Sequence, residues 1–463
     1  MHSMSTTAPL AAPPAHAPRT LALLQAPVLA TLLRLAGPNV LVMLAQSMTG
    51  LIEAAFVGRL GTPALAGMAL VFPGVMLMQM MSSGAMGGGI SSAITRALGG
   101  GRQADADALV PHALAISVAL GLLFCAAGLL AGPALYRTMG GEGAALAAAL
   151  LYSNVVFGGA VLIWAFNGLA SCIRGTGNML VPAMVIVGGV VLLVPLSPCL
   201  IFGWGPFPAL GVAGGGVALL LYYVAGGAMF VVYLAGARAG IRLRWQRLRW
   251  APAWAILRVG LLASLVSLQT NLVVTLATAY AGSFGAAAIA GYGAGSRLEF
   301  LLVPLVFGLG APLVALVGVN LGAGQRARAL RAAWIGAAVA FALTEAIGLA
   351  GAAWPSAWLG LFGHDPAMLA AGSAYLRAVG PFFGFFGGGM ALYFASQGAG
   401  RLAWPLAAAV LRTVVAVGGG WVALRLTGSL TPVFLALGAG LLVMGAVNAA
   451  TVAGGAWFKG EAT

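Results

Sequence analysis

Five ionisable residues stand inside long apolar stretches of this chain: Glu53, Arg297, Glu299, Glu345 and Arg412. A charged side chain in hydrocarbon costs roughly 2.5–3.5 kcal/mol on insertion scales, so such a residue is a functional hypothesis by default. Glu53 lies fifteen residues into the stretch 38–58. Desolvation penalises the ionised form of a carboxyl. A neutral acid is cheap to bury, whereas an ionised one must be hydrated or paired with a cation. That difference can couple proton entry to the exit of a cationic solute by competition. The structural alternative is a carboxyl hydrogen-bonded to a neighbouring helix.

The second half carries the other four charges. Arg297 and Glu299 are two residues apart in Ser296–Phe300, a spacing that points them to different sides of a helix. Each therefore needs its own partner, with one of them facing a cavity. Arg412 is a candidate partner for either Glu299 or Glu345, and the four form a candidate polar network. A structural bridge between helices fits them as well as a transport role does. Met76 and Met80 belong to a Met-rich stretch, and flexible thioethers suit a surface that binds many lipophilic shapes; they equally suit lipid or core. Phe386 and Tyr393 could stack on flat cations. With Gln269 and Asn271 they complete a candidate substrate-cavity set. His112 and His364 read as solvated loop residues. No nucleophile with a base and no metal-ligand spacing is legible, so an enzyme, a metal site and a cofactor are not expected.

The elements that position these residues are set by composition. Of 463 residues, 61% are hydrophobic and 6% charged, against roughly 25% charged in soluble domains. The surrounding medium must be lipid. Apolar runs of spanning length give an all-α integral membrane fold of twelve helices, from 38–58 to 431–456. The net charge of +14 could suggest nucleic acid, but with a cytoplasmic N-terminus most cations fall at the inner face, Arg238 and Lys459 among them, which is the positive-inside bias. The basic surplus records topology.

An internal repeat organises the chain. VGRLGTPALAG from Val57 recurs as AGSFGAAAIAG from Ala281, 224 residues on; LGGGRQADADAL from Leu98 recurs as LGAGQRARAL from Leu321, 223 on. Gly175, Gly177 and Pro182 match Gly398, Gly400 and Pro405 at the same offset. Six spans per half make a parallel repeat, with substrate sites expected at the repeat interface. The expected units are 1–36, a disordered tail followed by an interfacial helix or an extension of the first span; 37–236, the first lobe; 237–255, a basic linker on the inner leaflet; and 256–463, the second lobe. The run Gly84–Gly89 weakens the second span mid-course and suits a bend that moves.

At this point the residues resemble a known family. PNVLVMLAQSMTGLIEAAFVGRLGTPALAG (38–67), IRGTGNMLVP (173–182) and IFGWGPFPALGVAGGGVA (201–218) look like the first half of a MATE (multidrug and toxic compound extrusion) exporter. GYGAGSRLEFLLVP (291–304), VGVNLGAGQRARAL (317–330) and FASQGAGRLAWP (394–405) look like its second half. The resemblance is closer to the DinF-like branch than to the Na⁺-coupled NorM-like branch. It implies two pseudo-symmetric six-helix lobes around a central cavity, and export driven by H⁺ or Na⁺.

Glu53 falls where bacterial members carry an acidic residue. The resemblance also implies an Asn and an Asp from the fifth span, but Leu193 and Ser197 stand there. The ion-coupling partners are then sought in Gln46, Ser47 and Asn167. The Na⁺-coupled branch would place carboxylates near Gln269 and Phe386, where none stands. Proton coupling is favoured, with Na⁺ coupling or export of a lipid-linked or anionic substrate as alternatives. The expected partners are small molecules, the coupling ion and the bilayer, for a monomer in the inner membrane with both termini cytoplasmic.

Overall fold

The structure, a computed structural model, describes residues 17–236, 239–244 and 246–458. Of the disordered tail expected over 1–18, residues 1–16 lie outside the described residues, as do the inner-face cations Arg238 and Lys459, while Pro18 already begins a helix. Every regular element among those described is helical. That follows from the medium, because a chain in lipid must satisfy its backbone groups within each segment.

The first half comprises α1 (Pro18–Gln25), α2 (Val28–Gly58), α3 (Thr62–Gln79), a π-helical stretch (Met80–Met86), α4 (Gly87–Gly99), α5 (Gln103–Thr138), α6 (Gly143–Gly158), α7 (Ala160–Gly175), α8 (Leu180–Phe202) and α9 (Val212–Ala235). The second comprises α10 (Trp250–Gly282), α11 (Ala286–Gly322), α12 (Arg326–Ala353), α13 (Pro355–Leu359), α14 (Pro366–Val379), a 3₁₀ turn (Gly380–Phe382), α15 (Phe383–Ala399), α16 (Ala403–Thr413), a π-helical stretch (Val414–Gly418), α17 (Gly419–Thr427) and α18 (Leu430–Ala453). Among the described residues, eleven helical runs are long and apolar enough to cross a membrane, and the pair α6–α7, bent by 46°, makes a twelfth if it is one span. The second span is continuous from Thr62 to Gly99, with the π stretch where the glycine run weakens it.

The repeat is written into backbone geometry. Gly61 (φ +110°) and Gly285 (φ +96°) open the second span of each half, Gly101 (+71°) and Gly324 (+74°) follow it, and Gly177 (+78°) pairs with Gly400 (+72°). Left-handed φ is sterically open to glycine alone among ordinary residues, so the same turns are imposed in both halves.

Two apolar cores follow. One gathers buried residues from Val42 to Ile256; the other runs from Val259 to Trp457 and also takes in Leu23, Leu24, Val28, Leu32 and Ala36. The segment 17–36, read as an interfacial helix or an extension of the first span, packs on the second half. α1 is docked there by Asn320 Nδ2, which donates to Leu23 O at 3.3 Å, and by Arg328, which donates to Leu23 O and Ala26 O. Residues 28–37 are the first turns of α2, matching the second of those alternatives, an extension of the first span. Further along α2, Asn39 Nδ2 donates at 3.1 Å to Phe307 O and Gly308 O. Pro312 cannot supply the helical donor to Gly308 O, and Asn39 replaces it.

The basic linker is shorter than expected, since Trp250 begins α10. It is pinned to α5: Arg242 N donates to Asp107 Oδ1 (3.0 Å), Gln103 Nε2 to Gly240 O (2.8 Å) and Arg249 N to His112 Nε2 (2.7 Å). His112, expected to be solvated, is buried at 2% exposure. Since its Nε2 accepts, its Nδ1–H donates to Ala108 O at 2.7 Å.

Candidate functional site

Glu53 sits on α2 at 6% exposure, and its Oε1 is buried without a hydrogen-bond partner. A Cβ built on Gly215 of α9 would lie 3.0 Å from that oxygen and 3.7 Å from Ile201 of α8. Tyr152 of α6 and Tyr223 of α9, both buried, lie within electrostatic reach of the carboxyl. The pocket thus draws on α2, α6, α8 and α9. Ser197, one turn before Ile201 and so on the same face of α8, also holds a buried hydroxyl without a partner.

The partners sought for Glu53 lie elsewhere. Asn167 Nδ2 on α7 donates to Ser82 Oγ (2.9 Å) and Gln79 Oε1 (3.3 Å). Those two residues flank the start of the π stretch, so Asn167 braces that irregular backbone. Its helix rotation directs it at α3, which sequence spacing could not reveal. Ser47 Oγ bonds its own helix at Met43 O, 3.0 Å away. Gln46 is half-buried, two turns before Glu53 on the same face of α2 and about 10 Å along the axis.

The second-half charges resolve into three sites. Tyr375 on α14 donates to Glu299 Oε2 at 2.8 Å, and Arg412 Nη2 on α16 lies 4.0 Å from Glu299 Oε1. Arg412 is buried, stands 6.0 Å over the Phe386 ring and contacts Met444 Sδ at 3.8 Å, with its Nε unpaired. Glu345 instead accepts from Gly384 N at 2.6 Å. That amide opens α15 after the 3₁₀ turn, where the first backbone donors of a helix lack partners, so Glu345 caps a broken span. Arg297 is exposed and lies 5.1 Å over the Phe362 ring. The four charges do not form one network.

The candidate cavity residues also separate. Phe386 and Tyr393 are buried at 5% and 6% exposure in the second core. They do not line an open surface, because α15 packs between α11, α12 and α18. Gln269 is committed to α16, donating to Ala409 O (2.5 Å) and Thr413 Oγ1. Met76 is exposed, and Met80 meets Asn271 Nδ2 at 3.9 Å, a contact between the halves.

The halves join along one end. α3 packs on α2, α5 and α6, while its continuation through the π stretch and α4 packs on α10, α11 and α15. The seam is nearly atom-to-atom: a Cβ on Gly99 would overlap Val319 O, and one on Gly322 would overlap Arg96 O. Gln397 Nε2 donates to Gly84 O (3.4 Å) and Ala85 O (3.3 Å), carbonyls that the π stretch loosens from the helical ladder. Ser92 Oγ donates to Gln397 O and to Gly398 O. Arg96 Nη1 donates to Gly398 O at 3.0 Å. The end bearing Gly101 and Gly324 is therefore closed, and the halves diverge along α3.

The family model described as MatE matches residues 38–199 and again residues 263–422, one match in each half. This chain belongs to the MATE family. Among similar proteins, a FAD transporter of Shewanella oneidensis is 29% identical over 315 residues, 67% of this chain and 69% of that protein. A probable multidrug resistance protein NorM of Deinococcus radiodurans is 29% identical over 378 residues, 75% of this chain and 77% of the other. The solved structure of a MATE protein in the bent conformation superposes with a TM-score of 0.88 at 25% identity, covering 97% of this chain and 100% of that one.

The MATE chain is thus a multi-pass membrane transporter and not an enzyme. Two features of it escaped sequence reasoning. Gly215 and the buried tyrosines around Glu53 carry no signal in isolation, since Gly and Tyr in spans usually pack. The Gln397 clasp became legible only when the π stretch exposed the carbonyls it serves.

Proposed function

We propose that this MATE protein is a proton-coupled antiporter that exports lipophilic, often cationic small molecules by alternating access. The observation that carries the reading is Glu53: a carboxyl buried in the first half, with an unpartnered oxygen and a glycine making room for it. No hydrogen bond from the described residues reaches Glu53 Oε1, so the pocket holds the neutral acid at lower cost than the ionised form. Deprotonation then requires water or a cationic solute to enter. Proton and cation compete for one group, and the competition couples their opposite movements.

In this reading 37–236 and 256–463 are the two lobes, the closed seam faces the cytoplasm, and both termini lie on that side. The protein acts as a monomer in the inner membrane. Glu299, Arg412 and Tyr375 tie the second lobe together, and Glu345 secures its broken span. Exposed Met76 with Met80 and Asn271 lines the solute path. Tryptophan-quenched or radiolabelled lipophilic cation uptake into inverted proteoliposomes tests it. An imposed pH gradient should drive transport, and a Na⁺ gradient alone should not.

A second reading has one supporting observation, the similarity to a FAD transporter. Under it the substrate is a phosphate-bearing anion. Competition assays that include flavin nucleotides separate the two.

A further inference from the structure

The chain enters its first span through α1, and α1 touches both halves at the closed end. Thr20, Leu23 and Leu24 of this short helix are buried. Leu23 is held from two sides. Its carbonyl accepts from Asn320 Nδ2 of α11 at 3.3 Å and from Arg328 Nη2 of α12 at 3.4 Å, both in the second half. Its side chain lies over the turn between α7 and α8 of the first half. A Cβ at Gly177 in that turn would stand 2.6 Å from Leu23 Cδ1. Arg19 Nη1 donates at 3.3 Å to Tyr233 Oη of α9, again in the first half. Asn178 Nδ2, next to Gly177, donates to the same oxygen at 2.9 Å.

An eight-residue helix is not stable alone in water, so α1 owes its order to this surface. The last carbonyls of a helix lack partners within it, and Asn320 and Arg328 supply donors to that end of α1. The place α1 fills is set by the duplication. A Cβ at Gly400 would stand 2.7 Å from Arg96 Nη1, so an arginine of the first half clasps that turn of the second. Gly177 is the mate of Gly400. At the same offset the mate of Arg96 is Val319, whose side chain has no donor to offer. Leu23 lies over Gly177 in its stead, and Asn320, next to Val319, holds Leu23. The seam is adjacent, because Gly322, whose Cβ would overlap Arg96 O, follows on the same helix.

We propose that α1 is a strap across the closed end, tying α11 and α12 to α9 and the α7–α8 turn, and that it must leave this seat before the halves part there. Leu23 and Arg328 are its positioning residues. Parting the halves separates the groups that hold the Leu23 carbonyl from the turn beneath its side chain, so one side must let go. The strap is independent of the coupling ion and of the solute. It needs only that the transporter opens this end during its cycle.

Hydrogen–deuterium exchange of the full-length protein in nanodiscs tests this, since amide exchange reports local opening. Wild type is compared with Leu23→Asp, which sets a charge against Gly177, and with Arg328→Met, which keeps the stem and removes the donors. Three regions are read: α1 itself, the seam amides at 96–102, and the opposite end at 58–64 and 282–288. Both variants should speed exchange in α1 and at the seam about tenfold and leave the opposite end at the wild-type rate. Faster exchange in α1 with an unchanged seam overturns the proposal, because α1 then rides on the surface without holding it shut. Unchanged exchange in α1 overturns it as well, since Leu23 and Arg328 then do not hold the strap. Equal acceleration at both ends is a general loss of stability and also contradicts it. If Leu23→Asp does not fold, Leu23→Ala is read by the same criteria.

Discussion

Gly215 on α9 faces Glu53 on α2 so closely that a single methyl at 215 would lie 3.0 Å from Oε1. The glycine keeps space around the buried carboxyl that any other residue would fill. Gly215→Ala should therefore crowd the site at a cost of about 1–3 kcal/mol. Proton-driven export should fall while the protein still inserts and folds. Transport per folded molecule, normalised by size-exclusion yield, checks this, and unchanged export would show that the space is not used.

Tyr375 and Arg412 should prove structural supports of Glu299. Tyr375→Phe removes one hydrogen bond to a carboxylate and should cost about 1–3 kcal/mol of stability. Arg412→Met should cost more, yet less than the ~3–5 kcal/mol of a fully buried broken pair, because the Glu299 side chain keeps 23% exposure. Thermal unfolding in detergent measures both.

Glu345 caps α15 by accepting from Gly384 N. Glu345→Ala should lower stability by about 1–2 kcal/mol, the range of a lost helix cap. Transport per folded molecule should stay near wild type. A collapse of transport without loss of stability would give Glu345 a direct part in coupling.

The seam should respond to single methyl groups. In Gly99→Ala and Gly322→Ala the added Cβ overlaps Val319 O and Arg96 O respectively, and backbone cannot yield as a side-chain tip can. Both should shift the population away from the closed seam, by about tenfold for each ~1.4 kcal/mol of strain. Spin-label distances across α4 and α11 report that shift.

The spans and the duplication were legible because hydropathy and left-handed glycines act locally. Gly61 and Gly285 announce the same turn wherever they stand. The π stretch of the second span overlaps the start of the run Gly84–Gly89, where the sequence weakens the helix. Contacts between helices were not legible, because they depend on how far each helix is rotated. Asn167 faces Gln79 and Ser82 rather than Glu53, and Phe386 lies under Arg412 rather than in a cavity. His112 looked like a loop residue because only the folded linker brings Arg249 N to it. The charges were found individually in the sequence, but their partners required the fold.

Proteoliposome export of a lipophilic cation under an imposed pH gradient, comparing wild type with Glu53→Gln, tests the coupling reading most directly. The neutral amide keeps the shape of the side chain and removes its proton exchange. The account predicts that Glu53→Gln folds, binds the cation more weakly and loses gradient-driven export by at least about a hundredfold, the upper end of what coupling energies of 1–3 kcal/mol give. Export by Glu53→Gln equal to wild type would contradict it.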